Sequence, residues 1–297
     1  MRNKTPCSFW LALRRYWLAL CLSVVALCAA TLSPAHAKPE RIVSMNLCAD
    51  HLVMALADRD RIASLSYNST YPYQSLIADD IGAIPVNHGL AEEIFPLDPD
   101  MVISGNYTTP FTDQMLRDRG YPVVEVKLAE NIDDVRQNIR RVAEAIGELP
   151  RAEEIISTLD RGLAEQMGSQ EGPRLTALVL MPGGFTAGRS TIAHELLELA
   201  GLENMVAKLG ITGWTNITLE RLLIGQPDII IFGNEGRQSQ SQSTHLLQHP
   251  ALKNFMSRHV SIYVPSRLWG CGTPALPQAL KIIVSGVKAK RNEKDRN

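Results

Sequence analysis

Residues 131–167, NIDDVRQNIRRVAEAIGELPRAEEIISTLDRGLAEQM, decide how the chain is organised. In the first half, apolar residues recur at spacings of three and four, which predicts one buried face of a helix. Gly147 interrupts this pattern, and Pro150 suits the first turn of a new helix because its missing amide needs no partner there. A helix from Pro150 to Gln166 would span roughly 25 Å at about 1.5 Å per residue. The stretch therefore predicts a stiff rod that could join two lobes.

The sequences on either side of this rod resemble each other. Residues 92–106 read EEIFPLDPDMVISGN and residues 220–234 read ERLLIGQPDIIIFGN, with six of fifteen positions identical. About one identity would be expected by chance from ordinary residue usage. Each copy continues from a Pro-Asp turn into an apolar run without polar alternation, which is typical of a strand buried on both faces of a parallel sheet. An α/β protein with two lobes, each built on a parallel sheet, is predicted.

The first 37 residues are predicted to be an export signal that is removed. They contain an arginine pair, an apolar run over residues 16–32 and the sequence Ala-His-Ala at residues 35–37, which match the three regions of a signal peptide. An uncleaved membrane anchor is the alternative. The predicted divisions that follow are a first lobe (38–149), the joining helix (150–168) and a second lobe with a polar tail (169–297).

The charge and the hydropathy of the sequence argue against nucleic-acid binding and against a further membrane span. Loss of residues 1–37 removes four basic and no acidic residues, so the formal charge changes from −1 to −5. No basic face for nucleic acid is predicted. No later stretch reaches the ~18 apolar residues that a membrane span needs. We expect a soluble, exported monomer.

The loops after the predicted strands are where a ligand is expected, because parallel sheets bind ligands at the carboxyl ends of their strands. Aromatic side chains from two facing lobes would hold an amphipathic ligand, and arginines would pair with its anionic groups. The candidate ligand-binding residues are Asn46, Tyr67, Tyr71, Tyr107, Phe185, Arg189, Trp214, Arg267 and Trp269.

Motifs of catalysis are absent from the sequence. G-x-S-x-G, H-E-x-x-H and C-x-x-C do not occur. Residues 183–190, GGFTAGRS, resemble a phosphate-binding loop, but Arg189 replaces the lysine of that motif. Binding is favoured over catalysis, and no catalytic residue, cofactor or resident metal is predicted.

Two cysteines, Cys48 and Cys271, remain after export and fall on loops of opposite lobes. Three interpretations are open. They are unpaired thiols or small packing residues, a disulfide that would restrain opening of the cleft, or a soft-metal site that adds His51. The last would make this an exported metal-handling protein or an α/β enzyme that uses the cysteine pair.

From about residue 41 to residue 287, the chain resembles the metal-chelate binding proteins of bacterial ABC importers, which capture ferric siderophores, haem or cobalamin. Residues 66–73 and 184–188, and Trp214 followed six residues later by Glu220, are most similar to the cobalamin-binding members. The loop 267–272 departs from them, and its arginine suits an anionic chelate.

The resemblance implies two Rossmann-like lobes joined by one long helix, a periplasmic location and delivery of the chelate to a membrane permease. In that family, one surface glutamate of each lobe docks onto arginines of the permease. The matching positions here are Glu92 and Glu220, the first residues of the two repeat copies.

Overall fold

Two parallel sheets organise the protein in a computed structural model, which describes residues 37–105, 109–167, 173–233, 250–257 and 259–294. Among the predicted site residues, Tyr107 lies outside these ranges. The predicted export signal lies outside them up to residue 36.

The first lobe alternates strands and helices. In chain order its elements are β1 (Ile42–Ser44), α1 (Leu47–Leu56), β2 (Ile62–Ser66), β3 (Val86–Asn87), α2 (Ala91–Ile94), β4 (Met101–Gly105), α3 (Pro110–Asp118), β5 (Val123–Val126) and α4 (Ile132–Ile146). Within the described residues the sheet order is β3-β2-β1-β4-β5, and all neighbouring strands are parallel. The apolar run of the first repeat copy is β4, where Val102 and Ile103 are fully buried.

The second lobe repeats this scheme after a short connection. Its elements are β6 (Leu175–Val179), β7 (Phe185–Ala187), α6 (Ile192–Leu199), β8 (Leu202–Asn204), α7 (Met205–Lys208), β9 (Trp214–Asn216), α8 (Leu219–Gly225), β10 (Ile229–Phe232), α9 (Pro250–Ser257), β11 (Val260–Tyr263) and α10 (Leu276–Lys294). The described strands form a parallel sheet in the order β11-β10-β6-β8, beside an antiparallel β7-β9 ribbon. The prediction of two parallel sheets is confirmed.

The joining helix is α5 (Leu149–Gln166), which packs against α4 of the first lobe and α10 of the second. The preceding helix ends where predicted, because Gly147 takes a left-handed conformation (φ 76°). At the crossing with α10, a Cβ atom on Gly162 would lie 2.9 Å from Cγ of Pro277. A glycine is needed there because the two helices approach so closely.

A tight turn connects β6 to β7. Strand β6 ends at Val179. Gly183 and Gly184 both have positive φ and turn the chain into β7. No helix in the described ranges combines the length and the apolar character needed to cross a bilayer.

Candidate ligand-binding site

The carboxyl ends of β1, β4 and β5 surround a cavity of about 120 Å³. It lies where the strand order reverses between β1 and β4, the position at which open α/β sheets bind ligands. Asn46 lines it, but its Oδ1 atom accepts hydrogen bonds from the amides of Cys48 (2.8 Å) and Ala49 (3.3 Å). A Cβ on Gly105 would lie 2.8 Å from the Asn46 side chain. Asn46 therefore caps α1 and forms the floor of the cavity.

Cys48 and Cys271 form a disulfide at the edge of this cavity, with their Cα atoms 5.0 Å apart. The bond joins the first turn of α1 to the loop after β11, so the carboxyl ends of the two sheets meet. We call the space between these loops the cleft. The interpretations as free thiols and as a soft-metal site with His51 are wrong. Among the residues that the structure describes, no group of three or more His, Cys, Asp or Glu side chains could hold a metal ion.

Tyr67, Tyr71 and Tyr73 form a tyrosine cluster on the first lobe, in the loop after β2. The ring centroids of Tyr67 and Tyr71 are 6.0 Å apart in an edge-to-face pair, and those of Tyr71 and Tyr73 are 5.6 Å apart. Tyr71 and Tyr73 are 39% and 38% exposed, so each presents part of its ring to solvent. The cluster offers a continuous aromatic surface.

His88 extends this surface and was not predicted from the sequence. Its ring stacks on Tyr67 with 4.7 Å between centroids. Its Nδ1 lies 2.8 Å from Oε1 of Glu93, and its backbone amide donates to Oε2 at 2.6 Å. Slight burial raises the pKa of Glu93, but the hydrogen bonds with His88 outweigh it and the pKa is lowered overall. Within the described residues no hydrogen bond reaches Nε2 of His88, whose side chain is 57% exposed.

On the second lobe, Phe185 and Trp214 form an aromatic platform. Their rings stack with centroids 5.4 Å apart and planes 9° apart. The β7-β9 ribbon holds them in place, because it pairs Ala187 with Trp214 and Phe185 with Asn216. Phe185 is 41% exposed. Phe185 stands on β7, which follows the carboxyl end of β6, and the pairing of β9 with β7 places Trp214 beside it.

Arg189 lies just beyond this platform. Its amide donates to the carbonyl of Ile211 (3.0 Å) and its carbonyl accepts from the amide of Gly213 (2.6 Å). The backbone is thereby fixed while the side chain is exposed. This leaves the guanidinium accessible to an anionic group.

Arg267 crosses between the lobes. Its Nη1 donates to the carbonyl oxygen of Pro72 at 3.0 Å, next to the tyrosine cluster. A guanidinium has five N–H donors, so this contact leaves others for a ligand. The contact places a charged residue of the second lobe beside the aromatic surface of the first.

The prediction that Trp269 stacks on a ligand is wrong. Trp269 is only 3% exposed and packs in the hydrophobic core. The chain reverses in a 3-10 turn at Ser266–Leu268, where the amide of Trp269 donates to the carbonyl of Ser266 at 3.1 Å. The reversal carries the indole inward.

Glu92 and Glu220 are exposed and lie in the first turns of α2 and α8, the equivalent helices of the repeat. The pKa of Glu220 is lowered by a hydrogen bond from its own amide and by one from the Thr218 hydroxyl. Both carboxylates are thus available on the surface, one on each lobe.

Comparison with known proteins agrees with this architecture. Residues 42–256 match the family described as periplasmic binding protein. The chain belongs to the periplasmic binding protein family. Among solved structures of the same fold, the periplasmic heme-binding protein RhuT from Roseiflexus sp. RS-1 has a TM-score of 0.68 at 24% identity, covering 83% of this chain and 98% of that chain. The periplasmic vitamin B12 binding protein BtuF of Vibrio cholerae has a TM-score of 0.63 at 17% identity, covering 86% and 98%.

Several relatives are similar to this chain in sequence over part of their length. The cobalamin-binding protein of Halobacterium salinarum is 27% identical over 201 residues, 66% of this chain and 54% of that protein. An uncharacterised ABC transporter substrate-binding lipoprotein of Bacillus subtilis is 24% identical over 204 residues, 65% and 63% of the two chains. The match thus spans less than two thirds of either relative. The vitamin B12-binding protein of Pectobacterium carotovorum is 25% identical over 219 residues, 71% and 77% of the two chains.

Proposed function

We propose that this protein is the substrate-binding component of an ABC importer, and that it captures a metal chelate of the cobalamin, haem or ferric siderophore type in the periplasm. One observation carries the proposal. The tyrosine cluster of the first lobe and the Phe185–Trp214 platform of the second both stand at the carboxyl ends of parallel strands. The Cys48–Cys271 disulfide brings those ends together.

Large, flat chelates suit such a cleft. Aromatic rings bury apolar area and stack on planar ligands, each pair contributing about 0.5–1.5 kcal/mol beyond burial. Arg189 and Arg267 would pair with carboxylate groups at the ligand's edge. The long helix α5 would limit the closing motion, so free and bound forms should differ little.

His88 is held in the way that is typical of a metal-binding histidine. A metal-binding histidine usually has its second ring nitrogen held by a carboxylate, which fixes the tautomer and the orientation of the ring. Glu93 holds Nδ1 of His88 in this way. Nε2 would therefore be suited to an open axial position of the metal in a bound chelate.

Delivery would use a membrane permease. Glu92 and Glu220 occupy equivalent helices of the two lobes, so a permease with two equivalent basic sites could engage both. We propose that the exported protein acts as a monomer, after removal of residues 1–37, and that it binds no nucleic acid and catalyses no reaction.

Fluorescence titration tests the binding step. Trp214 and Trp269 are the tryptophans of the exported part of the sequence. We expect cyanocobalamin, haemin or a ferric hydroxamate siderophore to quench the tryptophan fluorescence saturably at one ligand per protein, and a Trp214→Ala variant, which lacks half of the platform, to bind the same chelate more weakly. Failure of all three chelates to bind would refute the proposal.

Uptake by cells tests the delivery step. In cells that lack the chromosomal copy, Glu92→Arg and Glu220→Arg variants should fail to restore uptake of the bound chelate. Their affinity for the chelate in solution should equal that of wild type. Normal uptake with both charges reversed would exclude these residues from docking.

A further inference from the structure

The loop that carries Cys271 is fastened to the first lobe at neighbouring points. Arg267 donates to the Pro72 carbonyl, and four residues later Cys271 is bonded to Cys48. Only the second of these links is covalent. It closes a ring of chain that runs through both sheets, because the two cysteines are 223 residues apart in sequence.

Gly272 adds a packing contact to this fastening. A Cβ at this residue would lie 2.9 Å from Cβ of Ala129 and 3.0 Å from Cγ2 of Val135. Ala129 and Val135 flank the start of α4 in the first lobe, so the loop sits directly on that lobe.

At α4, a third non-covalent contact joins the lobes. The amide of Ile132 donates to Oε2 of Glu195 in α6 at 2.7 Å. This amide therefore reports whether the two lobes keep their separation. The neighbouring amide of Asp134 donates to Oδ1 of Asn131 within the same lobe at 2.9 Å, so it offers an internal reference.

We propose that the Cys48–Cys271 disulfide is a redox-sensitive clamp that fixes the separation of the lobes and so sets how long a ligand is retained. The part concerning the ligand rests on the proposed function, whereas the part concerning the lobes does not. With the disulfide intact, α5 and the clamp hold the lobes at two places. With it reduced, the polypeptide connection and weak contacts remain.

Both sulfurs belong to half-buried residues that line the cavity, so a small dithiol can reach them. A thiolate of the dithiol attacks one sulfur, the S–S bond breaks and the other cysteine leaves as a thiolate. The second thiol of the reductant then displaces the first cysteine. Two electrons and two protons pass from the dithiol, which becomes a disulfide, to the two cysteines.

Cys48 is the better leaving group of the pair. It lies in the first turn of α1, a helix of ten residues, and a helix N-terminus stabilises a thiolate. Because exchange is faster when the leaving thiolate is more stable, attack should occur at Cys271. The mixed disulfide with the reductant should then form on Cys271.

Amide hydrogen exchange with and without dithiothreitol tests the clamp in the absence of ligand. We expect the Ile132 amide to exchange about tenfold faster in the reduced protein, while the Asp134 amide is unchanged. A Cys48→Ala/Cys271→Ala variant should match the reduced wild type and ignore the reductant. Far-UV circular dichroism checks that the fold persists.

Ligand retention is measured in parallel with cyanocobalamin and haemin as probes. Reduction should raise the dissociation rate of a bound probe about tenfold. If the Ile132 amide responds but neither probe binds, the clamp is supported and the proposed function fails for those chelates. If the exchange rate of the Ile132 amide does not change on reduction, the clamp is overturned, whether or not a probe binds. Loss of the circular dichroism signal on reduction also overturns it, because the bond would then maintain the fold.

Discussion

Asp98 and Gln226 occupy equivalent positions of the repeat, 128 residues apart, and both have a left-handed backbone, with φ of 45° and 39°. Each stands directly before the turn into a buried strand, β4 or β10. The residue types differ, yet the backbone conformation is the same. The repeat therefore preserves a local backbone geometry as well as an apolar pattern.

Gln226→Gly should raise the free energy of unfolding by about 0.5–1 kcal/mol, because glycine avoids the left-handed penalty of about 1–2 kcal/mol and loses part of that gain in unfolded-state entropy. Gln137→Gly, in the exposed face of α4, should instead lower it by about 1 kcal/mol. Urea unfolding of the two variants gives the comparison. A loss of stability in Gln226→Gly would show that its side chain contributes more than the strain costs.

Asp50 and His51 are adjacent in sequence and both buried, and burial shifts their pKa values in opposite directions. Burial raises the pKa of Asp50 from 3.8 to about 7, although hydrogen bonds from Ser44 and Ser66 act against the shift. Burial lowers the pKa of His51 from 6.5 to about 4. Asp50 makes its full contribution to the free energy of unfolding below pH 3.8, and this contribution is lost as the pH rises to about 7. His51 makes its full contribution above pH 6.5, and this contribution is lost as the pH falls to about 4.

Between pH 4 and 6.5 these two contributions have opposite slopes of about 1.4 kcal/mol per pH unit, so they cancel in the wild type. Asp50→Asn removes one of them. Relative to wild type, its free energy of unfolding should rise by about 3 kcal/mol between pH 4.5 and pH 7.5. Urea titrations of variant and wild type at the two pH values measure this change. If the free energy of unfolding of the variant relative to wild type is the same at both pH values, Asp50 is ionised in the folded protein at both.

His51→Gln should show the reverse. The amide of Leu76 donates to Nε2 of His51 at 3.1 Å, and a glutamine oxygen could accept the same bond. Relative to wild type, the free energy of unfolding of this variant should fall by about 2–3 kcal/mol from pH 4.5 to pH 7.5. A rise instead would mean that His51 carries a proton in the folded state.

Gly162→Ala tests the crossing of α5 and α10. The added methyl group would meet Pro277, so we expect a loss of about 1–3 kcal/mol of stability from overpacking. A gain of about 1 kcal/mol in helix propensity offsets part of this loss, so the net change should be a loss of up to about 2 kcal/mol. Ser157→Ala, on the exposed face of the same helix, is the matched control and should be neutral or stabilising. Equal stabilisation by both changes would show that the helices separate without cost.

The arrangement of sheets and joining helix follows from patterns that burial imposes on sequence. A strand covered on both faces must be apolar throughout, so β4 and β10 are visible as uninterrupted runs. Helix α4 has one apolar face and ends at a glycine. These features are local, and sequence alone is enough to detect them.

The site was harder to predict because its residues are distant in the sequence and come together only in the folded protein. Trp214 and Trp269 look alike in the sequence, and only the turn at Ser266–Leu268 buries one of them. Three interpretations of the cysteines stayed open until the distance between them was known. His88 and Glu93 are five residues apart in a stretch that is not one regular helix, so their spacing carried no signal.

Phe185→Ala tests the aromatic platform. Loss of its ring leaves Trp214 without its stacking partner, and we expect chelate affinity to fall about 2- to 12-fold, since such a pair contributes about 0.5–1.5 kcal/mol. Ile224→Ala is the control, because Ile224 is 81% exposed in α8 and lies at the end of that helix just before β10, away from the carboxyl ends of the strands. Isothermal titration of both variants with the chelate that binds wild type gives the comparison. Equal affinities for Phe185→Ala and wild type would remove the platform from the binding surface, whereas equal losses in both variants would point to a general effect of removing an exposed apolar side chain.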